Sequence, residues 1–413
     1  MFDVIIIGAG PAGLMAGITA AASGEKTLVL EHMTSAARKL LICGKGRCNI
    51  TNACDMNEII NNIPRNGKFL YSAFRVFNNE KLINFFHENN LATKVERGGR
   101  VFPESDKAQD VKDVLLNVLA KHKGKLQLQS KVQKIEVRNN RATGIRIQDG
   151  SFIAGKKVIL AAGGASYPQT GSDGSGFKLA AECGHTIVTP RPSLVPLESK
   201  SPYLSELQGL SLRNVEISIV VADKKVKKEL GEMLFTHFGL SGPVILTLSN
   251  FVAEYLEEGK FVEISIDLKP ALDTEKLDNR LKRDFEKYSK KQIKNSLFDL
   301  TPSSLIHVLL NEAGIDENKF TNQITKTERR ALISKLKDLR FMVTKTRPLS
   351  EAIVTAGGVC TKEIDPKTMQ SKIIDNLYFA GEVIDINGYT GGFNLQAAFS
   401  TGYLAGSSNV AKI

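Results

Sequence analysis

The sequence predicts an α/β chain built on a doubly wound parallel sheet, interrupted by a β-rich insertion that carries a helical module. Three observations lead there. GAGPAG at 8–13 follows an apolar β-branched run and opens a helix. LAAGGASYPQTG at 160–171 closes a series of short strands, and LYFAGEVIDINGYTGGFNLQAAF at 377–399 reads as a further strand, loop and helix at the far end of the chain. Between the last two, alternating apolar runs give way to helical periodicity and then return to strand.

Taken in order, FDVIII is a short buried parallel strand. Gly8 permits the tight turn, Gly10 lets backbone approach a pyrophosphate, and Gly13 lets the following helix, from about Leu14 to Ser23, lie against the strand. With Pro11 and Ala12 these residues form a phosphate cradle at a helix amide end. KTLVLE is a second strand ending in Glu31, an acid placed to accept from a ribose and to repel a 2′-phosphate. Residues 57–122 show helical patterning with a strand pair around VERGGRVFP. KVQKIEVR, ATGIRIQ, SFIAG and KKVIL are expected as separate short strands of a meander, joined by NN and DG turns.

The proline-rich TPRPSLVPLE at 189–198 marks departure into a second domain, where LSLRNVEISIVV and FVEISIDL read as strands. From about 270 to 340 the period turns helical, with TPSS and TKTE as threonine-capped helix starts and Glu328 three residues on from Thr325. FMVTKTR and VTAGGV lead back. The expected division is 1–190, 191–270, a helical module at 271–335, a return strand at 336–347, and 348–413.

The far end decides which dinucleotide is bound. NLYFAGE ends in Gly381 and Glu382, a carboxylate able to hold ribityl hydroxyls. Gly391 and Gly392 open a helix whose free amides suit the flavin N1–C2=O edge, where reduction gathers negative charge. NAD needs no second pole of this kind, so the expected cofactor is FAD.

GAGPAG with Glu31, KLLICGKGRCNITN at 39–52, GRVFPESDKAQDV at 99–111, GGASYPQTGSDGSG at 163–176, EMLFTHFGLSGPVIL at 232–246, VTAGGV at 354–359 and LYFAGEVIDINGYTGGFNLQ at 377–396 together resemble the motif set of the BaiN/YhiN-type bacterial flavoproteins, which include aminoacetone oxidase. The resemblance runs from Phe2 to Gly406. It implies an FAD-binding fold of glutathione-reductase type, interrupted by a substrate domain with a helical module, and it implies little about substrate. Candidate FAD-binding residues beyond the first cradle and Glu31 are Arg38, Lys39, Gly46, Arg47, Cys48, Asn49, Thr51, Val132, Ala161, Ala162, Gly163, Gly381, Glu382, Gly392, Phe393, Asn394 and Leu395.

Composition bounds the rest. The 413 residues are 42% hydrophobic, enough for two or three cored domains. Net charge is +11, but the cations are dispersed. KKVKKE at 224–229, expected beside a hairpin turn, and the lysine-rich stretch 276–294 are interrupted by acids with few aromatics between, which reads as solvated faces rather than a nucleic-acid surface. Five cysteines make no secreted disulfide framework, and Cys54 and Cys183 are expected to be structural. Residues 4–22 are apolar enough to mimic a membrane span, but their glycines are explained by phosphate binding and no basic leader precedes them. A cytoplasmic protein with no membrane partner is expected. No metal-ligand spacing, nucleophile elbow or Walker loop appears.

Cys43 and Cys48 offer a redox dithiol, with Lys45 and Arg47 to favour thiolates. No second nucleotide fold for NAD(P)H accompanies them, and the resembling family has a residue other than cysteine at position 43. A loop wrapping FAD, with polar contacts from Arg47, Asn49 and Thr51, is the preferred reading. Candidate groups near the ring are Tyr167, Asn387, Tyr389 and Thr390, with Cys360 nearby. His237 also stands out among six histidines, although a hydrogen-bonded turn histidine accounts for it more simply. The expected function is an FAD-dependent oxidoreductase acting on a small organic substrate. Within the range the resemblance implies, it is an oxidase of an amine such as aminoacetone with dioxygen as acceptor. The alternatives are an NAD(P)H-fed reductase of an unsaturated or carbonyl substrate, a disulfide reductase through Cys43 and Cys48, and a flavoprotein that binds RNA.

Overall fold

In the computed structural model, which describes residues 1–407, the chain forms two compact units that divide at Ser193/Leu194 and Pro348/Leu349. The first unit holds both ends of the chain. Its sheet runs Lys125–Gln127, Thr27–Leu30, Phe2–Ile7, Phe152–Leu160, with Leu377–Phe379 beside the last of these, all parallel. The order reverses after Phe2–Ile7: the next strands lie on one side, the later ones on the other. Such a switch point opens a crevice at the carboxyl ends of the strands.

The meander strands Val132–Arg138 and Arg141–Ile147 pair antiparallel onto the first part of Phe152–Leu160. SFIAG and KKVIL are therefore one strand and not two, contrary to expectation. Lys156 and Lys157 do not break it because each finds a partner: Lys156 pairs with Asp3 at 2.7 Å, and Lys157 lies 4.2 Å over the Tyr378 ring. Gly155 faces Ile5 so closely that a Cβ there would sit 2.6 Å from its side chain.

The second unit is a closed barrel in the order Leu197–Ser199, Gly239–Ser241, Lys224–Thr236, Ser211–Val221, Val262–Asp267, Leu339–Thr346, the last strand pairing back to the first. Alternate residues Ile217, Ile219, Phe235, Ile264, Ile266 and Phe341 fill its core. Helices Thr274–Lys287, Ser303–Glu312 and Lys326–Lys337 form the helical module. Thr325 and Glu328 make the expected capping box, whereas Thr301 does not cap its helix. Pro302 takes that position, and Thr301 is turned inward with its hydroxyl buried.

The two ends of the chain meet helix on helix. Pro11–Ala22 crosses Phe393–Gly406 at backbone distance: a Cβ at Gly402 would collide with the carbonyl of Ala12, and one at Gly406 with that of Ala16. Gly402→Val should therefore destabilise the fold by about 1–3 kcal/mol through overpacking. A lower urea midpoint, followed by circular dichroism, is the expected result, and an unchanged midpoint would contradict the crossing.

Candidate functional site

Three parallel strands end side by side at Ile7, Leu160 and Phe379, so the turns that follow them share one edge of the sheet. At Gly8 φ is +102°, and a Cβ would lie 2.5 Å from the Ala161 carbonyl oxygen, so only glycine fits between the two turns. A Cβ at Gly13 would collide with the carbonyl of Gly8, which sets how closely the first helix approaches its strand. Gly10 differs: it caps that helix without a side-chain hydrogen bond, and a Cβ there would meet no protein atom within 4 Å. The helix thus presents free amides beside open space, the arrangement a pyrophosphate requires.

Glu31 follows the second strand and is buried. Its carboxylate accepts from the amides of Ala9 at 3.0 Å and Met33 at 2.9 Å, which fixes its orientation beside the first turn. Ala161, Ala162 and Gly163 follow Phe152–Leu160, and Val132 opens the meander with its side chain buried.

Glu382 is more heavily engaged than the sequence suggested. Its Oε1 accepts from the Thr355 amide at 2.7 Å and the Ser166 hydroxyl at 3.2 Å, and Lys39 reaches Oε2 at 2.8 Å. Lys39 also donates to Ser166 at 2.6 Å. One ion pair thereby ties together four segments: the loop after the second strand, the small-residue turn, the VTAGGV strand and the far-end turn. Arg38 opens the short helix that carries Lys39.

In the GRCNITN loop the Arg47 guanidinium pairs with Glu96 at 2.7 Å and Asp106 at 3.2 Å, and lies 4.0 Å over the Phe102 ring. The thiols of the dithiol alternative are not activated. Burial pushes Cys43 up to about 11, outweighing nearby Lys39, and burial raises Cys48 well above the ordinary thiol value. All five cysteines are free. Gly46 and Cys48 take positive φ, 84° and 62°, so the loop is tightly wound. Within it the side-chain oxygen Oδ1 of Asn49 is buried with no protein donor.

Thr51 donates to Gln396 at 2.6 Å, and Asn52 donates both to the Gly391 carbonyl at 3.0 Å and to that of Gly98 at 2.9 Å. These bonds hold the start of the terminal helix. Gly392, φ +99°, caps that helix without a side-chain bond and presses on the Thr51 carbonyl, leaving the amides of Phe393, Asn394 and Leu395 at its mouth. Asn394 closes the preceding loop by pairing with both the amide and carbonyl of Gly388, and Tyr389 in that loop is fixed through its amide to Asn62. Asn387 donates to Ser193 at 3.2 Å, and its own Oδ1 is buried without a protein donor. Arg65, pairing with Asp385 at 2.8 Å, anchors the loop from the other side; Asp385, Arg65 and Asn52 were not singled out from sequence, because their partners lie far along the chain.

Tyr167 has φ +54° and begins the short turn Pro168–Thr170, half-buried. His237 is exposed in the turn between Lys224–Thr236 and Gly239–Ser241 of the barrel unit, its ring edge-on to Phe238 at 5.0 Å. Cys360 follows the VTAGGV strand, its amide bonded to Thr186. Among the described residues no group of three or more His, Cys, Asp or Glu could hold a metal, and no helix is long and apolar enough to cross a membrane.

The residues fit FAD: two helix mouths without side-chain caps, a glycine beside open space, and two buried acceptors, Asn49 and Asn387, available to a ligand's donors.

Residues 2–408 match the family described as HI0933-like protein Rossmann domain. The chain is 32% identical over 405 residues to the 3-dehydro-bile acid delta(4,6)-reductase of Clostridium scindens, covering 97% of each chain. It is 32% identical over 411 residues to the ribosomal RNA dihydrouridine synthase of Escherichia coli, covering 99% of this chain and 98% of that one. In fold it is similar to the 3-ketosteroid delta1-dehydrogenase of Sterolibacterium denitrificans, with a TM-score of 0.55 at 13% identity and full coverage of both chains. A flavocytochrome c3 fumarate reductase gives a TM-score of 0.54 at 17% identity, over 100% of this chain and 78% of the other. The chain belongs to the HI0933-like family, the BaiN/YhiN-type flavoproteins, and is an FAD-dependent oxidoreductase.

Proposed function

We propose that this flavoprotein reduces a ring carbon–carbon double bond, and that the ring is a uracil within ribosomal RNA. The observation that carries the reading is the end-to-end likeness to a ribosomal RNA dihydrouridine synthase, joined to a net charge of +11. Such a surplus favours an anionic substrate over a cationic amine, and the longer the run of anions the more it contributes. Another curated relative is named a reductase. Amine oxidation by dioxygen draws support from neither name, so reduction is placed ahead of it.

Bound flavin supplies the hydride that saturates the double bond, with NAD(P)H as the proposed source of its electrons. The chain's own residues hold and orient. Gly8, Gly10, Pro11, Ala12 and Gly13 cradle the pyrophosphate and Glu31 takes the adenosine ribose. The amides of Gly392 to Leu395 would hold the carbonyl end of the ring, with Asn49 and Asn387 as further acceptors. Lys39 and Glu382 brace the turn between the two poles. Tyr389, fixed by its backbone in the loop before the terminal helix, is the proposed proton donor to the second carbon, ahead of Tyr167 and His237. A dithiol relay is set aside, since buried protonated thiols are poor nucleophiles.

Gly10→Val should fill the space beside the first helix and weaken flavin binding by at least about tenfold, roughly 1.4 kcal/mol; flavin absorbance of the purified variant measures it, and full occupancy would contradict the cradle. Cys43, with its thiol at about 11, should be only about one part in a thousand ionised at pH 8. Its alkylation by iodoacetamide should keep accelerating above pH 9, and Cys43→Ser should leave turnover intact; a plateau near neutral pH with lost turnover would restore the dithiol relay. For the reaction itself, the holoenzyme with NAD(P)H and ribosomal RNA from cells lacking this protein should yield a nucleoside two hydrogens heavier than uridine by mass spectrometry. No such product with any electron donor, beside reduction of a steroid enone or peroxide release from aminoacetone, would replace this function with the corresponding one.

A further inference from the structure

A small sheet in the first unit does work that the cofactor does not explain. Its strands are Thr51–Asn52, Arg100–Pro103 and Thr93–Glu96, and the turn Arg97-Gly98-Gly99 joins the last two. Both glycines take positive φ, 77° and 72°. The turn is locked rather than loose: Ala53 donates to the Gly99 carbonyl at 2.7 Å, and a Cβ at Gly99 would collide with Asn52. Asn52, itself 3% exposed, donates to Gly98 and to Gly391 at once. One side chain therefore couples this turn to the loop that opens the terminal helix.

The turn is also cationic. Arg47, Lys94, Arg97 and Arg100 surround it, with Lys45 exposed in the loop that carries Arg47. Two acids answer them: Glu96, shared by Arg47 and Arg100, and Asp106, shared by Arg47 and Lys94. Arg97 and Lys45 are exposed and take part in no ion pair among the described residues. On the barrel hairpin, by comparison, Lys225 and Lys228 pair with Asp338 and Glu216.

We infer that the Arg97-Gly98-Gly99 turn, with Lys45, is a phosphate-binding lip that engages the RNA backbone next to the reacting base. The inference rests on the proposed RNA substrate and on the 388–395 segment facing the flavin ring. Its chemistry is complementary: guanidinium and ammonium groups on a rigid turn meet phosphodiester oxygens, while Gly98, where an added Cβ would meet no protein atom within 4 Å, leaves room for a sugar-phosphate strand. A small amine, itself cationic, offers nothing for these cations to bind.

The test uses holoenzyme and a fluorescein-labelled uridine-containing RNA stem-loop, followed by anisotropy from low to physiological salt. Wild type should bind with a log–log salt slope that falls by about one for each cation removed in Arg97→Ala and Lys45→Ala. The double variant should bind at least about tenfold more weakly, while Arg97→Lys recovers most of the affinity. Flavin absorbance reports that each variant is folded and loaded. Lys224→Ala with Lys228→Ala is the comparison pair and should change affinity by less than about twofold. Equal losses in both pairs, or none in the lip variants, would overturn the lip. Failure of wild type to make the reduced nucleoside would instead remove the RNA function, because the binding measurement does not depend on turnover.

Discussion

Backbone-to-backbone contact between the first and last helices is the constraint on which the rest of the FAD unit depends. Gly402 and Gly406 lie against Ala12 and Ala16, so nothing larger than hydrogen separates the helices at the crossing. The same contact extends to Gly381, whose added Cβ would lie 2.7 Å from that of Ala12. Gly381 also donates to Thr401 of the terminal helix at 2.9 Å. The turn after Leu377–Phe379 and the start of the first helix are thereby fixed against the terminal helix by one seam of small residues. Close packing of this kind gains modestly from dispersion per atom, yet it tolerates almost no change in volume.

The sheet and the loops are held by different physics. Apolar strands such as Val4–Ile7 and Val158–Leu160 are almost wholly buried and define the platform. Above it, polar ties position the loops: Lys39 with Glu382, Thr51 with Gln396, Asn52 with two carbonyls, and Arg65 with Asp385. Partly buried ion pairs contribute little net stability, because desolvation offsets their attraction. What they provide here is geometry, since each joins segments that are distant along the chain.

That division explains what was readable in the residues. A tight turn, a helix mouth and a strand are local demands, and GAGPAG or TGGFNL states them within a few positions. The FAD family was accordingly visible, as were three strands of the barrel, Ser211–Val221, Val262–Asp267 and Leu339–Thr346, and the Thr325 cap. Nothing local announces the partners of Arg47, since Glu96 and Asp106 stand 49 and 59 positions away with no periodic signal linking them. The dithiol alternative drew on the neighbouring cations Lys45 and Arg47, whereas burial, a property of the folded chain, dominates. SFIAG and KKVIL read as two strands, whereas the fold joins them as one, in which Lys156 and Lys157 find partners in Asp3 and Tyr378 from separate strands.

The barrel unit leaves and rejoins the FAD unit through a single antiparallel pair. Ile187–Ser193 lies beside Val354–Val359, with Ser193 opposite Val354 at the exchange. The host fold consequently sees an excursion of more than a hundred and fifty residues as little more than a hairpin loop, and closing longer or shorter versions of such a loop changes its entropy only slowly. Descendants of one scaffold can thus trade the whole excursion for another without disturbing the nucleotide machinery, a route by which a single redox platform comes to serve chemically unrelated molecules.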